Sequence, residues 1–584
     1  MAAKNPAPTN PVVARARITG VTISDEGPHR SARAHHRPLG WLTGLLAAGT
    51  AVGVGELAGA LAGTAGPIVV VGDAVVDVSP APLKEFAISA FGVYDKVVLL
   101  GGILTTVAAL AAVLGGFALA WPMVGYAGLG LFGGVGVLAA VARRTDEPLA
   151  VVPVLAGVAA GALALYLLLR QARPKAAGPA SGQLSGGPPD RGEAAKPAGE
   201  QTAGASSPAS PAQQPAPSGP SPGGPSAAAG PHRRGFLLTG VGVLAVAAGS
   251  GALGRHLSSG ANVAASRAAL RLPAAAEPLP ALPGGVSLDV PGLPPFITPN
   301  RDFYRIDTAL TLPRVSPRQW RLRVHGLVDR PLDLSYEDLL ARPLIESDTT
   351  LTCVSNQIGG DLVGNTRWLG VRLADLLREA GVHADADQIL STSSDGWTCG
   401  TPTAVVMDGR EALLAVAMAG EPLPIAHGFP VRMVVPGLYG FVSATKWVTD
   451  IKLTRFADER AYWARRGWAV RAPIKTMSRI DVPGPLENVP AGPTTVAGVA
   501  WAQRRGVAAV EVRVDGGEWR EAVLADVPGI DTWRQWRWEF DAAPGRHTLE
   551  VRATDSTGHT QPEQRVEPIP DGATGWHSVQ ITAA

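Results

Sequence analysis

The run Thr350-Leu-Thr-Cys353-Val-Ser-Asn356 places a lone cysteine directly after a strand-like segment, and Gly364-Asn-Thr-Arg-Trp-Leu-Gly370 follows it. A cysteine in such a position is most often a buried core thiol. A thiolate there would also be a soft ligand, of the type that sulfur-preferring metals accept. The run by itself leaves both interpretations open.

The composition limits the chemistry that this chain can carry. Its 584 residues are 46% apolar and only 17% charged, and a chain of this length holds roughly three to five domains. A formal charge of +2 argues against a nucleic-acid binder, so no nucleic-acid partner is expected. Two cysteines cannot form a disulfide scaffold or a four-thiolate zinc or iron–sulfur site. Thiol chemistry therefore rests on Cys353 or Cys399, and we interpret Cys399 as a core residue.

The first part of the chain has the pattern of a membrane protein. Residues 1–40 are polar and basic and predict a cytoplasmic tail without a cleavable signal. Residues 41–169 predict four transmembrane helices, because they contain apolar runs at roughly 41–63, 97–120, 122–142 and 149–169. Basic residues flank this region on both sides and place both of its ends in the cytoplasm. Only Arg143 and Arg144 oppose this topology.

A low-complexity segment and a further apolar run come next. Residues 170–230 consist mainly of Pro, Gly, Ala, Ser and Gln and predict a disordered linker. Residues 231–256 contain Arg233-Arg234-Gly-Phe-Leu-Leu before a weakly apolar run, which predicts a fifth transmembrane helix. The arginine pair is either an ordinary basic flank or an internal twin-arginine export signal. Export by that route carries folded domains. It therefore implies that the catalytic half takes up its cofactor in the cytoplasm and is then moved across the membrane. Residues 257–288 are rich in Pro and Ala and predict a spacer.

The membrane part lacks the residues that a haem protein needs. The apolar runs contain no histidine, and the chain has no Cys-x-x-Cys-His segment. Haem held by two membrane histidines and covalently attached haem are therefore not expected. We expect the membrane part to be an anchor or a docking surface in contact with lipid, and electrons to pass to a separate partner.

Two globular domains are predicted after the spacer. In residues 289–460, Trp320–Val324 alternates as a strand, Ser335 caps a short helix, and Val371–Ala380 is amphipathic. In residues 470–584, short strands with aromatic inner faces follow one another at regular spacing. This second pattern predicts a β-sandwich of about 100 residues.

Several segments of these two domains resemble the sulfite oxidase family of molybdopterin-dependent oxidoreductases. Besides the Cys353 and Gly364–Gly370 segments they are Asn300-Arg-Asp-Phe-Tyr-Arg305, Ser394-Asp-Gly-Trp397, and His427-Gly-Phe-Pro-Val-Arg432 with the residues up to Trp447. The resemblance covers about residues 289–575, including the immunoglobulin-like dimerisation module that follows the molybdenum domain in that family. It implies an α+β molybdopterin domain, an immunoglobulin-like sandwich, and a chain that can form a homodimer.

The resemblance also implies roles for individual residues. Cys353 would be the molybdenum ligand, and the catalytic set would be Cys353, Arg305, Arg367 and Trp397. The cofactor-binding set would be Asn300, Phe303, Tyr304, Cys353, Ser394, His427, Arg432, Gly440, Phe441 and Lys446. An arginine fork and a lysine charge suit a phosphate group. The expected cofactor is therefore a molybdenum-molybdopterin.

Two departures from the family pattern bear on the substrate. The family usually carries paired arginines shortly after the ligand cysteine, where this chain has Gln357-Ile358. A tyrosine is also frequent where this chain has Trp397. An anion such as sulfite requires preorganised cations, so their loss weakens the assignment of sulfite. Arg305 and Arg367 are the candidates to replace them.

The sequence therefore predicts a multi-domain protein with an N-terminal α-helical transmembrane bundle, a sulfite-oxidase-type α+β domain and an immunoglobulin-like β-sandwich. The expected function is two-electron oxygen-atom transfer on a small substrate by a membrane-anchored molybdenum oxidoreductase. Its catalytic domains are expected on the extracytoplasmic side of the cytoplasmic membrane. A sulfoxide-type reductase of the same fold and a cofactor-free, membrane-tethered binding or sensor module are the alternatives.

Overall fold

The computed structural model describes residues 37–80, 83, 86, 90, 91, 95–142, 149–172, 233–258 and 261–584. The predicted tail 1–40 and linker 170–230 lie almost entirely outside the described residues. Arg143 and Arg144, the two residues that oppose the predicted topology, lie outside them as well.

The N-terminal part of the described chain is helical. Its helices are α1 (Arg37–Ala62), α2 (Pro67–Val78), α3 (Asp95–Ala118), α4 (Pro122–Ala142), α5 (Val152–Ala172) and α6 (Arg233–Ser258). In the part of the chain that the structure describes, α1 and α3 to α6 are long and apolar enough to cross a bilayer. The five predicted runs are thus confirmed as helices of spanning length. The sequence did not predict α2, whose 12 residues extend only about 18 Å and cannot cross.

The chain divides into two compact units. The first is Met1–Thr50, Val107–Gly130 and Ala160–Val246, and the second is Ala51–Thr106, Leu131–Ala159 and Ala247–Ala584. Within the first unit, α1 and α3 approach closely, because a Cβ at Gly44 would collide with the backbone of Ala111. Contacts through such small residues are typical of membrane helices.

The predicted spacer 257–288 is partly structured and belongs to the second unit. It contains α7 (Ala261–Ala269), in which Val263 is buried. The guanidinium of Arg267 donates to the carbonyl oxygen of Leu423 at 2.8 Å and to that of Pro422 at 2.7 Å. The Pro/Ala composition did not predict this helix. Its attachment depends on the single side chain of Arg267, which binds carbonyl oxygens more than 150 residues away.

The central domain of the second unit is built on two sheets. Its strands are β1 (Arg321–Gly326), β2 (Leu332–Ser335), β3 (Leu344–Thr352), β4 (Val363–Arg372), β5 (Gln388–Ser393), β6 (Thr398–Pro402), β7 (Leu413–Met418), β8 (Glu421–Pro422), β9 (Arg432–Val434) and β10 (Val448–Thr454). One sheet has the order β2-β1-β10-β5-β6, and the other has the order β3-β4-β7-β8 with β9 beside β7. In β1 the buried Leu322 and Val324 alternate with exposed arginines, as predicted.

Two short helices of the central domain follow the predicted cap and stop, although the second begins at Leu373 because Val371 belongs to the preceding strand. The helix α8 (Tyr336–Leu340) begins after Ser335, which forms a reciprocal cap with Asp338. The helix α9 (Leu373–Ala380) ends at Gly381, whose φ of 69° suits a glycine. A single turn, α10 (Thr403–Val406), follows β6.

The C-terminal module has two sheets that share one core. Its strands are β11 (Met477–Val482), β12 (Asn488–Val489), β13 (Gly492–Trp501), β14 (Val507–Val514), β15 (Arg520–Glu521), β16 (Val523–Leu524), β17 (Arg534–Ala542), β18 (Gly545–Asp555) and β19 (His577–Ala583). The sheets have the orders β11-β13-β17-β16 and β12-β19-β18-β14-β15. Val510 and Leu549 of one sheet and Trp536 of the other lie in the same apolar cluster. This two-layer arrangement agrees with the alternation in the sequence.

The C-terminal module is joined to the central domain through Trp533. Its side chain belongs to the apolar cluster of the central domain. Its indole N–H donates to the carbonyl oxygen of Phe296 at 2.9 Å, and its backbone N–H donates to the hydroxyl of Thr350 at 2.7 Å. Thr350 lies in β3, three residues before Cys353, so this tryptophan supports the strand that presents the cysteine.

Candidate functional site

Cys353 lies at the end of β3, where the chain turns toward β4. Its N–H donates to the carbonyl oxygen of Leu362 at 2.9 Å, and the Asn356 side chain accepts the N–H of Leu362 at 2.9 Å. Both Cys353 and Cys399 are buried and free. Burial raises the pKa of Cys353, whereas the N–H and hydroxyl of Ser355 and the charge of Lys446 favour the thiolate. The thiol is therefore expected to ionise beside a strong positive partner such as a metal ion.

Arg432 is a buried cation without a carboxylate partner among the described residues. It lies in β9, where its Nη1 donates to the carbonyl oxygen of His427 at 3.2 Å. Its guanidinium lies 4.9 Å from the centre of the Trp368 ring, and its Nε has no hydrogen-bond partner. Burial lowers the pKa of Arg432 to about 10. The cost of burying such a charge is offset when an anion binds beside it.

Asp307 is a buried carboxylate that forms salt bridges with three cations. Lys446 Nζ lies 2.8 Å and Arg305 Nε lies 2.9 Å from its Oδ2, and Lys96 pairs with its Oδ1. Burial alone would raise the pKa of Asp307, but these three cations hold it well below its usual range. One negative charge thus faces three positive ones. The region around Lys446 keeps a positive excess that a bound anion can use.

Burial lowers the pKa of Lys446 to about 8, although Asp307 opposes this change. The ammonium also lies 5.1 Å from the centre of the Trp447 ring. Lys446 and Arg432 approach one another through Gly428, where φ is 112°. A Cβ at that glycine would lie 2.9 Å from Arg432 Cβ and 3.1 Å from Lys446 Cα. Only a glycine therefore allows the two cations to come from backbones so close together.

An aromatic cluster borders the cations. Phe303 stacks on Tyr304 at a centroid distance of 5.3 Å and meets Trp368 and His427 edge-on at 6.0 and 5.7 Å. Burial raises the pKa of Tyr304 above its ordinary value, with a further contribution from Cys353. Gly440 borders the same space, because a Cβ there would lie 3.8 Å from the Tyr304 hydroxyl. The aromatic residues thus bring Tyr304 into range of Cys353.

His427 is a neutral imidazole in this site at pH 7. Burial, helped by the charges of Arg432 and Lys446, lowers its pKa to about 4. Its Nε2 lies 3.1 Å from the carbonyl oxygen of Asn300. Since a carbonyl oxygen only accepts, Nε2 carries the proton, and Nδ1 is left as an acceptor.

Several buried polar atoms of these segments have no hydrogen-bond partner among the described residues. They are Asn300 Oδ1, Thr352 Oγ1, Ser394 Oγ and Arg432 Nε. Buried polar groups are nearly always paired, so the unpaired ones in these segments are candidates for contacts with a ligand. A phosphorylated pterin offers phosphate oxygens to a guanidinium and polar ring atoms to amides and hydroxyls. The residues present therefore fit such a group.

Arg367 is engaged by carboxylates of the neighbouring strand, and its place in the catalytic set stays a prediction. Its Nε and Nη2 each lie 2.8 Å from an oxygen of Asp348, with which it pairs across β3 and β4. Asp348 precedes Cys353 by five residues in an extended segment, a separation of roughly 16 Å. The third nitrogen, Nη1, lies 3.6 Å from Glu346. Carboxylates thus surround the whole guanidinium.

The remaining predicted residues lie on loops around the sheets. Ser394 donates its backbone N–H to the carbonyl oxygen of Trp447 at 2.9 Å. Trp397 is half-buried in the turn between β5 and β6 and packs against the central core. Phe441 follows Gly440 in a 3₁₀ turn and lies 5.7 Å from the ring centre of Trp468.

Sequence reasoning missed Asp307 and Lys96. Asp307 follows Arg305 by two residues, a spacing that was the only signal for their pairing. Lys96 lies in the first turn of α3, and nothing in the sequence links a membrane helix to a residue more than 200 positions away.

Comparison with known proteins shows the family to which the chain is similar. Residues 309–463 match the family model described as the oxidoreductase molybdopterin binding domain. The uncharacterized oxidoreductase YuiH of Bacillus subtilis is 39% identical over 153 residues, which are 26% of this chain and 74% of YuiH. Chicken sulfite oxidase is 31% identical over 48% of this chain and 72% of its own length.

Mitochondrial sulfite oxidase of the mouse is 30% identical over 49% of this chain, and the match spans only 61% of the mouse protein. Cys353, Arg432 and Lys446 lie within the span of the family model, residues 309–463. With the likeness to YuiH and to chicken sulfite oxidase, this span shows that the chain is an oxidoreductase of the sulfite oxidase family of molybdopterin-dependent enzymes.

Proposed function

We propose that this chain is a membrane-anchored molybdenum-cofactor oxidoreductase that transfers an oxygen atom to or from a small substrate. The observation that carries the proposal is the approach of Arg432 and Lys446 through Gly428, beside a buried free cysteine. A buried guanidinium with an unpaired Nε fits a phosphate, and a buried thiol fits a metal.

Each part of the proposed site has a separate task. Cys353 holds the metal, Arg432 and Lys446 hold the phosphate, and Phe303, Tyr304 and His427 form one wall. Asn300, Ser394, Gly440 and Phe441 complete the pterin pocket. When bound, the cofactor supplies a metal centre that exchanges an oxygen atom and two electrons with the substrate. His427 keeps its proton on Nε2 and offers Nδ1 as an acceptor to the pterin.

The surroundings of Cys353 bear on the substrate. Gln357 is exposed and uncharged, and Ile358 packs against Gly575 of the C-terminal module. Arg367 is engaged elsewhere, so Arg305 is the remaining candidate to bind an anionic substrate. It is 36% exposed and shares Asp307 with Lys446. Sulfite is the substrate of the animal relatives, whereas the loss of the arginine pair favours a sulfoxide-type reductase as second candidate.

The membrane part supports an extracytoplasmic position for the enzyme. Five helices are of spanning length, and an odd number of crossings from a cytoplasmic N-terminal end supports a position outside for the chain after α6. The Arg233–Arg234 pair at the start of α6 is proposed as a twin-arginine signal. α1 and α3 to α6 contact lipid, and electrons pass to a separate partner protein.

The C-terminal module is proposed to be immunoglobulin-like and to mediate a homodimer. Two sheets around one core support the first point. The connection through Trp533 places the module beside β3, so a dimer formed by the module would hold two sites at a fixed distance.

Metal and pterin analysis of the purified full chain tests the proposal. About one molybdenum and one pterin per chain are expected in the parent protein. Assays with sulfite as donor and with sulfoxides as acceptors then separate the two candidate reactions. A protein expressed with cofactor supply that contains neither metal nor pterin would contradict the proposal.

A further inference from the structure

The membrane part reaches the proposed cofactor site through one side chain. Lys96 is in the first turn of α3 and pairs with Oδ1 of Asp307. The other oxygen of the same carboxylate pairs with Lys446 at 2.8 Å. Asp307 is 5% exposed and Lys96 is 21% exposed, so water screens this group of charges only weakly.

Two further contacts seat the same membrane segment on the central domain. Asp77, at the end of α2, lies 3.0 Å from Arg466 and accepts the Tyr462 hydroxyl at 2.9 Å. Near the middle of α2, a Cβ on Gly72 would collide with the side chain of Leu310. These contacts and the Lys96–Asp307 pair involve different residues, and all of them lie within the second compact unit.

The order of the helices is consistent with this docking. Between the segment that contains Asp77 and the central domain, the chain passes through α3, α4, α5 and α6. Each is long enough to cross a bilayer, and four crossings return the chain to the same side. The segment that contains Asp77 and the central domain therefore lie on the same side of the membrane, so they can be in contact.

We propose that Lys96 is a positioning residue of the cofactor site, through which the docked membrane segment sets the charge available to the bound phosphate. Asp307 has one negative charge to divide among Lys96, Arg305 and Lys446. With Lys96 present, Lys446 is only partly neutralised and attracts the phosphate. Without Lys96, Asp307 binds Lys446 more strongly and the site loses one positive charge. This inference rests on the proposed assignment of Lys446 to the phosphate.

The rate at which the detergent-solubilised full chain loses its pterin tests the proposal. Lys96→Met and Lys96→Gln should both lose pterin on the order of ten times faster than the parent, since one charge at roughly 10 Å in a weakly polar medium has that effect. Lys96→Arg should stay within about twofold of the parent. Arg301→Met is the matched control, because Arg301 is 85% exposed, and its loss should leave the rate unchanged.

Charge reversal of the Asp77–Arg466 pair provides an independent measurement of pterin loss. Asp77→Arg and Arg466→Asp should each speed pterin loss, because they displace the segment that carries Lys96, and the double reversal should restore the parent rate. If Lys96→Met and Lys96→Gln lose pterin at the parent rate while Lys446→Met loses it rapidly, the inference is wrong and the proposed site stands. If Lys446→Met also keeps its pterin, the proposed site itself is wrong.

Discussion

The guanidinium of Arg432 lies 4.9 Å from the ring centre of Trp368 and has no carboxylate partner in the described chain. A buried charge that no other charge balances costs folding free energy. Its presence in the core of the site is therefore best explained by an anion that binds there.

Replacing this arginine should have opposite effects on the empty and the loaded protein. Arg432→Met should stabilise the cofactor-free protein by about 1 to 3 kcal/mol, because an apolar side chain removes an unpaired buried charge. It should also lower the pterin content at least tenfold. Calorimetry of the cofactor-free protein and pterin analysis measure the two effects. Arg372→Met is the control, since Arg372 pairs with Glu277 and Glu411, and it should leave the pterin content unchanged.

The two cysteines should respond differently to the same substitution. Cys353→Ser should abolish turnover and leave the fold intact, because a hydroxyl is a poor ligand for a sulfur-preferring metal. The Cys399 thiol is buried beside the hydroxyls of Thr401, Ser391 and Thr445, which a serine can also contact. Cys399→Ser should therefore lower stability by no more than about 1 kcal/mol, without loss of metal. Turnover, metal content and thermal unfolding check these outcomes. Turnover by Cys353→Ser at the parent rate would refute the ligand role.

Trp533 should couple the C-terminal module to the site. Trp533→Ala should cost about 3 to 5 kcal/mol of stability. It should also reduce cofactor retention, since it removes the indole bond to the Phe296 carbonyl and the packing of the ring in the apolar cluster of the central domain. Trp536→Ala, within the core of the module, should cost a similar amount and leave retention unchanged. Denaturant unfolding and pterin content distinguish the two. Equal retention in both variants would contradict the coupling.

The C-terminal module should lose stability in acid. Burial and the charges of Arg479 and Arg565 lower the pKa of His577 to about 4, below its ordinary value. The neutral ring, which accepts the N–H of Ile480 at 3.0 Å, is thus favoured by folding. Its contribution is complete above about pH 6.5 and is lost as the pH falls toward 4, up to about 3 kcal/mol.

Unfolding in urea between pH 7 and pH 4 measures this dependence. His577→Asn keeps an acceptor near the Ile480 N–H and cannot take up a proton, so its stability should vary less with pH than that of the parent. His559→Asn alters an exposed histidine and should not change the slope. The same slope for His577→Asn and the parent would show that His577 is not the group responsible.

Export should depend on the arginine pair at the start of α6. Replacing both Arg233 and Arg234 by lysine should retain the catalytic half in the cytoplasm, because twin-arginine signals require the guanidinium groups. Protease added to intact spheroplasts should then digest the parent and spare the variant. Equal digestion of both proteins would contradict export by this route.

The sequence predicted the elements that local patterns control. The alternation in β1, the cap at Ser335 and the spanning length of the apolar helices all follow from neighbouring residues. The resemblance identified Cys353, Arg432 and Lys446 because each of them lies within a short continuous motif. The pairing of Arg367 with Asp348 was not predicted, because the register of β3 and β4 sets it rather than the motif around Arg367. The Lys96–Asp307 pair depends on how distant segments pack, which no local pattern reports.

The central claim is that the sulfur of Cys353 bonds to molybdenum. X-ray absorption at the molybdenum edge counts the sulfur neighbours of the metal directly. The loaded parent should show the two sulfurs of the pterin dithiolene and one more from Cys353, and loaded Cys353→Ser should show one sulfur fewer. The same sulfur count in both proteins would contradict the claim.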